Sequence, residues 1–513
     1  MDLLAVIRNI RGTLPLSISY QLRSKLRATG NRHPITHIHI LDDDSLLNIF
    51  SLCRPVILDE NEANDIQILE GGNWSRERWW YKFVQVCRRW RYLMLGSASY
   101  LRLSLRCARG TPVATMLAHS PPLPLIIDHL DEHDHVNAKD EEGIVLALRH
   151  RDRLRRIRLV KAVPVLKRLI RVLNGKYSIL EHLYITDQQY SRPIINFNTE
   201  LNFAESFRAP QIRCLALMNF AIPIGSPLLT TMENIVTLDL SMIPRSVYFR
   251  PNALLHRLSL MPQLEILGIF HNSDRPTHDL KSQLLRTTIT TRITLPNLRR
   301  FGFQGANAYL EALLPWITMP LLERLQVCFF NRPTYSIPHL QKLMDTTGNL
   351  RLKYARLTFY DDRVGLIVYP HKEARMYTLD ISLIGQNFDW QVASMAQVCG
   401  MLRTVLFEVE HLVLDYERRS ISLWWSAVAH RTHWRELLGT FDNAKTLYLR
   451  FWLVEQLARA LQPGGEESST ELLPELQELS YLAVPGTGAS SDIFAGFVDE
   501  RQKAGRPINV VRR

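Results

Sequence analysis

The chain has 513 residues, of which 46% are hydrophobic and 22% charged, and its formal net charge is +12 at pH 7. This length exceeds the roughly 250 residues at which one compact core stops growing, so we expect several domains or an elongated repeat. No run approaches the ~18 apolar residues of a membrane span, and the start lacks the apolar stretch of a secretory signal. The basic balance favours acidic partners.

The cysteines and the basic N-terminal segment indicate the cellular compartment. Six cysteines are scattered without a C-x-x-C pair, which favours reduced thiols and a cytoplasmic or nuclear protein. Residues 1–33 hold six basic residues against Asp2 alone. This composition indicates a flexible basic tail, and a mitochondrial presequence is the alternative.

Two apolar segments follow between residues 34 and 99. Leu41–Cys53 has apolar residues at helical spacing behind an acidic start, which predicts a short amphipathic helix. Trp79–Met94 carries Trp79, Phe83, Val86 and Trp90 on one helical stripe. Residues 54–73 between them include five acidic residues and two glycines, which predicts a polar loop insertion. We expect a small all-α module whose apolar face needs a partner.

From residue 100 to 513 one apolar pattern recurs, in which an apolar residue is followed by two variable ones, an apolar, one variable and an apolar. This is the strand core of a leucine-rich repeat. The steps between starts run from 22 residues (Tyr354 to Met376) to 35 residues (Val409 to Ala444), against the ~20 to 29 of regular repeats. Copies marked by proline begin at Pro210, Pro262, Pro296, Pro320 and Pro474, and others at Leu154, Leu180, Ile235, Tyr354, Met376, Val409 and Ala444, with weaker copies at Tyr100 and Pro122.

Segments of helical periodicity separate these strands, for example VPVLKRLIRVLNGK, in which Gly175 suits a C-terminal cap. The usual asparagine after the strand is missing, since Thr186 and Asp187 follow Ile185. The pattern predicts an α/β fold, a leucine-rich-repeat-like solenoid or horseshoe with a parallel sheet on the concave side. An ordinary α/β fold is the alternative.

The residues that flank the central apolar position of each strand face the concave side, because side chains alternate along a strand. Arginine is frequent there, and its fork pairs with carboxylate or phosphate, so we expect an acidic or phosphorylated substrate. The nominated substrate-binding residues are Arg156, Arg158, His182, Tyr184, Asp239, Arg300, Arg324, Tyr448 and Arg450, beside Thr237, Gln326 and Thr446.

Two other functions have weaker signals. The run RHRDRLRRIR at residues 149–158 holds six arginines, but no nucleic-acid-binding signature accompanies it, so a solvated face is preferred over nucleic-acid binding. His129, Glu132 and His133 fit H-x-x-E-H, an inverted zinc-peptidase motif. The preceding apolar run predicts a strand where that motif needs a helix, so a zinc metallopeptidase is only a remote alternative. We expect no metal and no cofactor.

The two N-terminal segments together resemble an F-box. Val86, Cys87, Arg88 and Trp90 match the valine-cysteine-arginine-x-tryptophan end of that family's pattern. The beginning of the pattern is matched by Leu41, Asp44, Leu46, Leu47, Ile49 and Phe50. Asp42 replaces the usual proline, so acidic residues must favour helix initiation through the helix dipole. With its irregular repeats, the chain resembles fungal families in which a tryptophan-rich F-box precedes leucine-rich repeats.

This resemblance implies a non-catalytic substrate-recognition adaptor of an SCF-type ubiquitin ligase. The F-box would bind a Skp-type adaptor, and through it a cullin, while the repeats bind a protein substrate. The residues expected to contact the adaptor are Leu41, Leu46, Ile49, Phe50, Val84, Val86 and Trp90. The alternative is a repeat interaction scaffold with a degenerate F-box, which Asp42 and the acidic insertion favour. Membrane binding is not expected.

Overall fold

The computed structural model describes residues 41–54, 79–130, 138–187, 201–272, 292–330, 335–347, 350, 352–417, 430–450, 453–462, 472–482 and 493–512. The predicted basic tail and nearly all of the predicted insertion lie outside these ranges. The chain divides into two compact units, Met1–Ser191 and Arg192–Arg513. The proposed domain boundary between residues 99 and 100 stays a prediction. None of the helices in these ranges has the length and apolar content of a membrane span.

Unit 1 combines helices with a parallel four-stranded sheet in the order β1-β2-β3-β4. Its described helices are α1 (Asp43–Leu52), α2 (Tyr81–Val84), α3 (Arg88–Gly96), α4 (Val113–His119), α5 (Ala138–Arg149) and α6 (Val163–Val172). Its strands are β1 (Leu105–Cys107), β2 (Leu125–His129), β3 (Leu154–Lys161) and β4 (His182–Asp187). Gly175, which follows α6, has a φ of 78°, the left-handed conformation that favours glycine after a helix.

Unit 2 is a mixed α/β unit with a large sheet. Its described helices are α7 (Pro227–Thr230), α8 (Pro251–Ser259), α9 (Asn307–Leu313), α10 (Pro338–Thr346), α11 (Phe388–Met401), α12 (Arg403–Leu406), α13 (Arg431–Leu438), α14 (Leu453–Leu461) and α15 (Ala495–Lys503). Its strands are β5 (Cys214–Met218), β6 (Thr237–Ile243), β7 (Ile266–His271), β8 (Ile293–Thr294), β9 (Arg300–Gly305), β10 (Ile317–Thr318), β11 (Arg324–Phe330), β12 (Tyr354–Phe359), β13 (Arg363–Tyr369), β14 (Leu379–Ile384), β15 (His411–Tyr416), β16 (Thr446–Arg450), β17 (Glu478–Leu482) and β18 (Asn509–Arg512).

A turn closed by a backbone hydrogen bond precedes the proline-marked strands. Before β7, the carbonyl of Met261 accepts from the N–H of Leu264 at 3.2 Å, with Pro262 between them. Proline suits the second position of such a turn because its ring fixes φ at about −65°. The same bond joins Phe441 and Ala444 at 3.1 Å before β16, where no proline is present. Proline therefore rigidifies a turn that the repeat also forms without it.

One register runs through the parallel strands of unit 2 and gives the sheet two different faces. The central apolar residues of neighbouring strands lie side by side, as Leu238, Leu267, Phe301 and Leu325 do. All four are at most 3% exposed, which stabilises the fold by about 1.5 to 3 kcal/mol for each side chain. The alternate residues form rows on the opposite face, and we call this opposite face the polar face of the sheet.

The sheet of unit 2 departs from a simple repeat at one place. Its strand order is β5-β6-β7-β9-β11-β14-β13-β12-β15-β16-β17-β18, and β13 is antiparallel to both of its neighbours. The carbonyl of Arg363 accepts from the N–H of Tyr360 at 2.8 Å, which closes the reversal between β12 and β13. Tyr354 and Met376 were expected to begin consecutive parallel repeats. That expectation missed the returning strand between them.

Two asparagines connect neighbouring turns. Asn297, in the turn before β9, donates through Nδ2 to the carbonyl oxygen of Pro262 at 3.0 Å. Asn443, in the turn before β16, donates in the same way to the carbonyl oxygen of Phe407 at 2.9 Å. Side-chain amides therefore connect successive repeats before the strand, whereas regular leucine-rich repeats place their asparagine after it.

We expect Asn443→Ala to lower the free energy of unfolding by about 1 kcal/mol, because the carbonyl of Phe407 loses its donor. Urea denaturation at pH 7 measures this change. Gln477→Ala, which truncates an exposed side chain before β17, is the control and should unfold like the native chain. Equal losses in the two variants would contradict a stabilising role for the asparagine.

A histidine lies inside the aromatic core of unit 2. His271, at the end of β7, is 1% exposed, and its ring stacks on Tyr248 with the centroids 4.3 Å apart. Tyr309 and Phe303 approach the same ring at 5.6 and 6.1 Å. Burial lowers the pKa of His271 to about 3, because the imidazolium ion would lose its hydration. The folded protein therefore keeps this ring neutral.

The free energy of unfolding should fall as the pH drops below 6.5, the ordinary pKa of the group, because the unfolded chain then binds a proton that folded His271 does not. Between pH 7 and pH 4.5 this group should account for a loss of about 2.5 kcal/mol. His271→Phe keeps an aromatic ring and removes the titration. Unfolding measured at both pH values should show a smaller loss for the variant, and equal losses would refute this account.

Candidate functional site

Helices α1, α2 and α3, which we call the helical module, enclose an aromatic core. Phe50 from α1 meets Trp90 from α3 edge to face, with ring centroids 4.9 Å apart, and Phe83 from α2 at 5.5 Å. Phe83 and Trp90 are stacked at 6.0 Å. Such pairs stabilise by about 0.5 to 1.5 kcal/mol beyond the burial of their area. The aromatic stripe seen in the sequence therefore packs the helices of the module together.

Acidic residues hold the start of α1. The side chain of Asp42 caps the helix by accepting from the backbone N–H of Ser45 at 2.6 Å, and this bond lowers the pKa of Asp42. Arg89 of α3 donates to Asp43 at 2.9 and 2.6 Å and to the carbonyl of Leu41 at 2.6 Å. Asp42 thus supplies a cap at the position where the F-box pattern has proline.

The predicted adaptor contacts fall into two groups. Leu46, Phe50 and Trp90 are 0%, 0% and 3% exposed, so in this structure they pack inside the module and do not form a contact surface. The remaining four, which are partly exposed, are Leu41, Ile49, Val84 and Val86. For those four, contact with an adaptor stays a prediction.

Two exposed apolar residues of the module were not predicted from the sequence. Tyr92 is 81% exposed and Leu52 is 54% exposed. Tyr92 lines an open groove together with Arg88, Arg91 and Leu95. Large apolar side chains that remain exposed are more informative than buried ones about where a partner binds. Tyr92 lies off the apolar stripe of its helix, and that position in the sequence could have identified it.

In unit 1, the predicted substrate residues lie in register on β3 and β4. Arg156 is paired with His182, and Arg158 with Tyr184. Arg156, His182 and Tyr184 are partly exposed, whereas Arg158 is only 7% exposed. Arg158 is flanked in register by Asp128 as well as Tyr184. Arg158 is therefore buried between its neighbours, and contact of its side chain with a ligand stays a prediction.

The arginine run at residues 149–158 takes part in bonds inside unit 1. Arg153 donates to the carbonyl of Leu123 at 3.1 and 3.0 Å, and Arg155 forms an ion pair with Glu181 at 2.8 Å. Leu123, Arg155 and Glu181 belong to segments around three successive strands, β2, β3 and β4. Some of these arginines thus connect successive repeats within the fold, and this contribution accounts for part of the charge run without a nucleic-acid partner.

In unit 2, Asp239 of β6 lies beside a flat part of the polar face. The residues paired with it along the neighbouring strands are Gly268 and Gly302. A Cβ atom added to Gly268 or Gly302 would lie only 2.7 or 2.6 Å from the ring of Phe270. Burial raises the pKa of Asp239 to about 6, although Ser241 donates to it at 2.6 Å. A side chain at either glycine position would therefore require the ring of Phe270 to move.

Arg300 and Arg324, both predicted, are paired in register on β9 and β11 and are partly exposed. Beyond them, Gln326 donates to Asp380 of β14 at 3.3 Å. Burial raises the pKa of Asp380 to about 6. The polar face of unit 2 therefore carries both basic and acidic groups.

The clearest constellation of the polar face joins β12, β15 and β16. Asp415 of β15 has a side chain only 4% exposed, and its Oδ2 accepts from Arg356 of β12 and from Arg450 of β16, the latter at 2.9 Å. The side chains of Arg356 and Arg450 are 40% and 36% exposed to solvent. Tyr448, also predicted, lies in register with Val413, which in turn lies opposite Arg356. We call Arg356, Asp415 and Arg450 the arginine–aspartate cluster.

Of the cluster, only Arg450 was predicted from the sequence, together with the nearby Tyr448, whereas Arg356 and Asp415 were not. The rule of flanking residues, applied to the repeat that begins at Tyr354, does identify Arg356. Asp415 directly follows the last apolar residue of its repeat, Leu414, as Arg450 follows Leu449, and only the arginine was predicted. The structure brings these residues together only because β12 and β15 are neighbours in the sheet.

The zinc-peptidase motif has no structural support in the part of the chain that the structure describes. His129 lies at the end of strand β2 and is 3% exposed, and Glu132 and His133 lie outside the described residues. Among the residues described, no group of three His, Cys, Asp or Glu side chains could hold a metal ion. The strand at His129 agrees with the strand that the preceding apolar run predicted.

Comparisons with known proteins add little to the description of this chain. No family model matches the chain, and no curated protein matches it. Thirteen chains of solved structures match. One is the leucine-rich repeat-containing protein LegL7 from Legionella pneumophila, 12% identical, with the match covering 63% of this chain and 97% of that chain at a TM-score of 0.25. A score this low carries no argument, so the repeat architecture rests on the strand register described above.

We expect Asp415→Asn to lower the free energy of unfolding by about 1 to 3 kcal/mol, less than for a fully buried pair, because both arginines reach solvent. Thermal or urea unfolding measures the loss. The control is Asp442→Asn, which breaks an ion pair with Arg403 at 2.5 Å whose side chains are 25% and 59% exposed; it should cost less than about 1 kcal/mol. A smaller effect at Asp415 than at Asp442 would refute a stabilising cluster.

Proposed function

We propose that this chain is the substrate-recognition subunit of an SCF-type ubiquitin ligase. In this proposal the helical module binds a Skp-type adaptor, and through it a cullin, while the polar face of the sheet binds a protein substrate. The chain itself performs no chemistry. The proposal rests on the F-box-like pattern of residues 41–94 combined with a repeat domain.

The observation that carries the proposal is that some apolar residues of the helical module are buried inside it while others stay exposed. Phe50, Phe83 and Trp90 pack inside it, while Ile49 and Val84 stay partly exposed and Tyr92 is 81% exposed. A stable small module that leaves apolar side chains in water is suited to binding another protein, because docking removes that area from water. The rest of the chain supplies a separate face for the substrate.

The cysteines fit a reducing compartment. In the part of the chain that the structure describes, which includes all six, they form no disulfide bond. Burial raises the pKa of Cys53 to about 11 and that of Cys107 to about 12. Thiols with such pKa values stay protonated and unreactive. We accordingly propose a cytoplasmic or nuclear location, where ubiquitin ligases of this type act.

A non-catalytic interaction scaffold is the second candidate. It is favoured by the burial of Leu46, Phe50 and Trp90, which leaves fewer of the predicted residues available to an adaptor. Asp42 in place of the usual proline points the same way. In this alternative the repeats bind a protein partner and the module serves only as a stable end of the domain.

Co-purification of the full chain with a Skp-type adaptor tests the proposal. The native chain should be captured, and Ile49→Asp/Val84→Asp should lose at least about thirtyfold in affinity, since charge replaces two contacts of hot-spot size. Leu321→Asp is the matched control: Leu321 is a 40% exposed leucine in unit 2, and its variant should be captured like the native chain. Circular dichroism must show all three chains folded.

Failure of the folded native chain to bind the adaptor would reject the ligase proposal and favour the scaffold. Equal losses in the double variant and in Leu321→Asp would show that added charge, rather than a docking surface, causes the loss.

A further inference from the structure

One oxygen of the Asp239 carboxylate has no hydrogen-bond donor in the part of the chain that the structure describes. Oδ1 accepts from the hydroxyl group of Ser241 at 2.6 Å, whereas Oδ2 accepts from none of the described residues. Asp239 is partly exposed, and its Oδ2 is not enclosed by protein atoms. A ligand from solvent can therefore reach this oxygen.

Small residues flank Asp239 in the register of the sheet. Ala216 of β5 lies on one side, and Gly268 of β7 lies on the other, followed by Gly302 of β9. A Cβ atom on Gly268 would lie 3.3 Å from Oδ2, so the carboxylate leans over a position that carries no side chain. The missing side chains leave a recess beside the carboxylate on the polar face.

The ring of Phe270 forms the other wall of this recess. It is partly exposed, and it lies 2.7 Å from the place that a Cβ of Gly268 would take, the same place that Oδ2 adjoins. We call Asp239, Gly268, Gly302 and Phe270 the aspartate–phenylalanine recess. An aromatic ring attracts a cation and packs against the aliphatic stem of a basic side chain, while a carboxylate pairs with its charge. This combination suits a basic ligand.

No cation among the described residues compensates for the charge of Asp239. Burial raises its pKa to about 6, and what opposes this shift is the hydroxyl group of Ser241, not a basic residue. At neutral pH the ionised carboxylate therefore makes folding less favourable than an uncharged side chain would. The fold gains nothing from this charge, whereas a cationic ligand would use it.

We infer that the aspartate–phenylalanine recess binds the ammonium group of a lysine side chain on a partner protein. Oδ2 offers one acceptor position, which suits a compact ammonium group, whereas the guanidinium fork of arginine pairs best with both oxygens of a carboxylate. The ring of Phe270 would pack against the four-carbon stem of the lysine. This contact deepens the substrate face of the proposed function and rests on that proposal for the role of the partner.

Diffuse attraction cannot account for lysine binding by this chain. The formal net charge is +12 at pH 7, which repels cations in general. A lysine side chain that binds at one saturable site therefore needs a local anion with an unoccupied oxygen.

Asp380 provides a matched control on the same row of the sheet. It resembles Asp239, because Ser382 donates to its Oδ1 at 3.2 Å and burial raises its pKa to about 6. It differs in its neighbours, since Gln326 and Ile367 flank it in register and Gln326 donates to its Oδ2 at 3.3 Å. Asp380 thus has the charge of Asp239 without the free oxygen and the recess.

Saturation-transfer NMR of the full chain with Nα-acetyl-L-lysine-N-methylamide at pH 7.5 tests the inference. The native chain should bind this probe at one saturable site. Asp239→Asn should weaken binding at least about tenfold, as loss of a charge-assisted pair does, and Asp380→Asn should bind like the native chain. No saturable binding by the native chain, or equal losses in the two variants, would overturn the inference.

The stability of Asp239→Asn separates lost binding from lost folding. Asparagine has nearly the same size as aspartate and removes the uncompensated charge, so the free energy of unfolding should not fall. Urea denaturation of both variants measures it. If Asp239→Asn does not fold, Asp239→Ala removes the same charge and should show the same loss of binding.

Two further probes in the same titration identify the ligand class. The norleucine analogue of the probe keeps the four-carbon stem without the ammonium group, and it should bind at least about tenfold more weakly. The arginine analogue should bind more weakly than the lysine probe. Equal binding of the norleucine analogue would overturn the need for a cation, and equal or tighter binding of the arginine analogue would overturn the assignment to lysine. These titrations use the chain alone, so their failure leaves the adaptor experiment unaffected.

Discussion

The parallel register of the strands is the constraint on which the rest of unit 2 depends. Side chains alternate along a strand, so a slip of one residue would move every central leucine to the polar face and every polar residue into the core. The register is maintained across neighbours by the backbone ladder and, before strands such as β7, β9, β11 and β16, by a closed turn. Asn297 and Asn443 then connect one turn to the previous one. Position in the repeat therefore fixes position on a face.

This constraint explains how residues far apart in the chain form one cluster. Arg356 and Asp415 are 59 positions apart in sequence, yet β12 and β15 are direct neighbours. They are neighbours because the chain folds back after β12: β13 and β14 fill the space towards β11, and β12 is left free to pair with β15. A simple sequence of parallel repeats would have put β14 between them and separated the two side chains.

Much of the fold could be predicted from the sequence, because the apolar pattern directly reports burial in a strand. Each predicted repeat start precedes a strand or is its first residue, and the flanking rule located Tyr448. Strand β13 was missed because its apolar residues follow a reversal that has no proline or glycine signal. The burial of the Arg158 and Asp415 side chains also could not be predicted from the sequence. A polar residue on a sheet face is exposed or buried according to the side chains of its neighbours.

The helical module shows the same limit of pattern reasoning. A match to a family pattern identifies residues that matter, but it does not separate those that build the module from those that would bind a partner. Phe50 and Trp90 belong to the first group by their burial, whereas Ile49 and Val84 keep exposed area. Helical spacing alone placed Trp90 on the stripe of a packed face, and only the positions of α1 and α2 decide what that face packs against.

The carboxylates of the polar face differ in a way that bears on their roles. Asp415 has two arginines within hydrogen-bonding distance, and its burial is therefore compensated. Asp239 has Ser241 as its hydrogen-bond donor, lies beside Gly268, and has a pKa raised to about 6 by burial. At neutral pH a carboxylate with a raised pKa destabilises the fold, because the unfolded chain ionises more easily. Asparagine would avoid that cost at Asp239, whereas at Asp415 it would leave two arginines without their anion. The charge of Asp415 thus stabilises the sheet, whereas the sheet does not require a charge at Asp239.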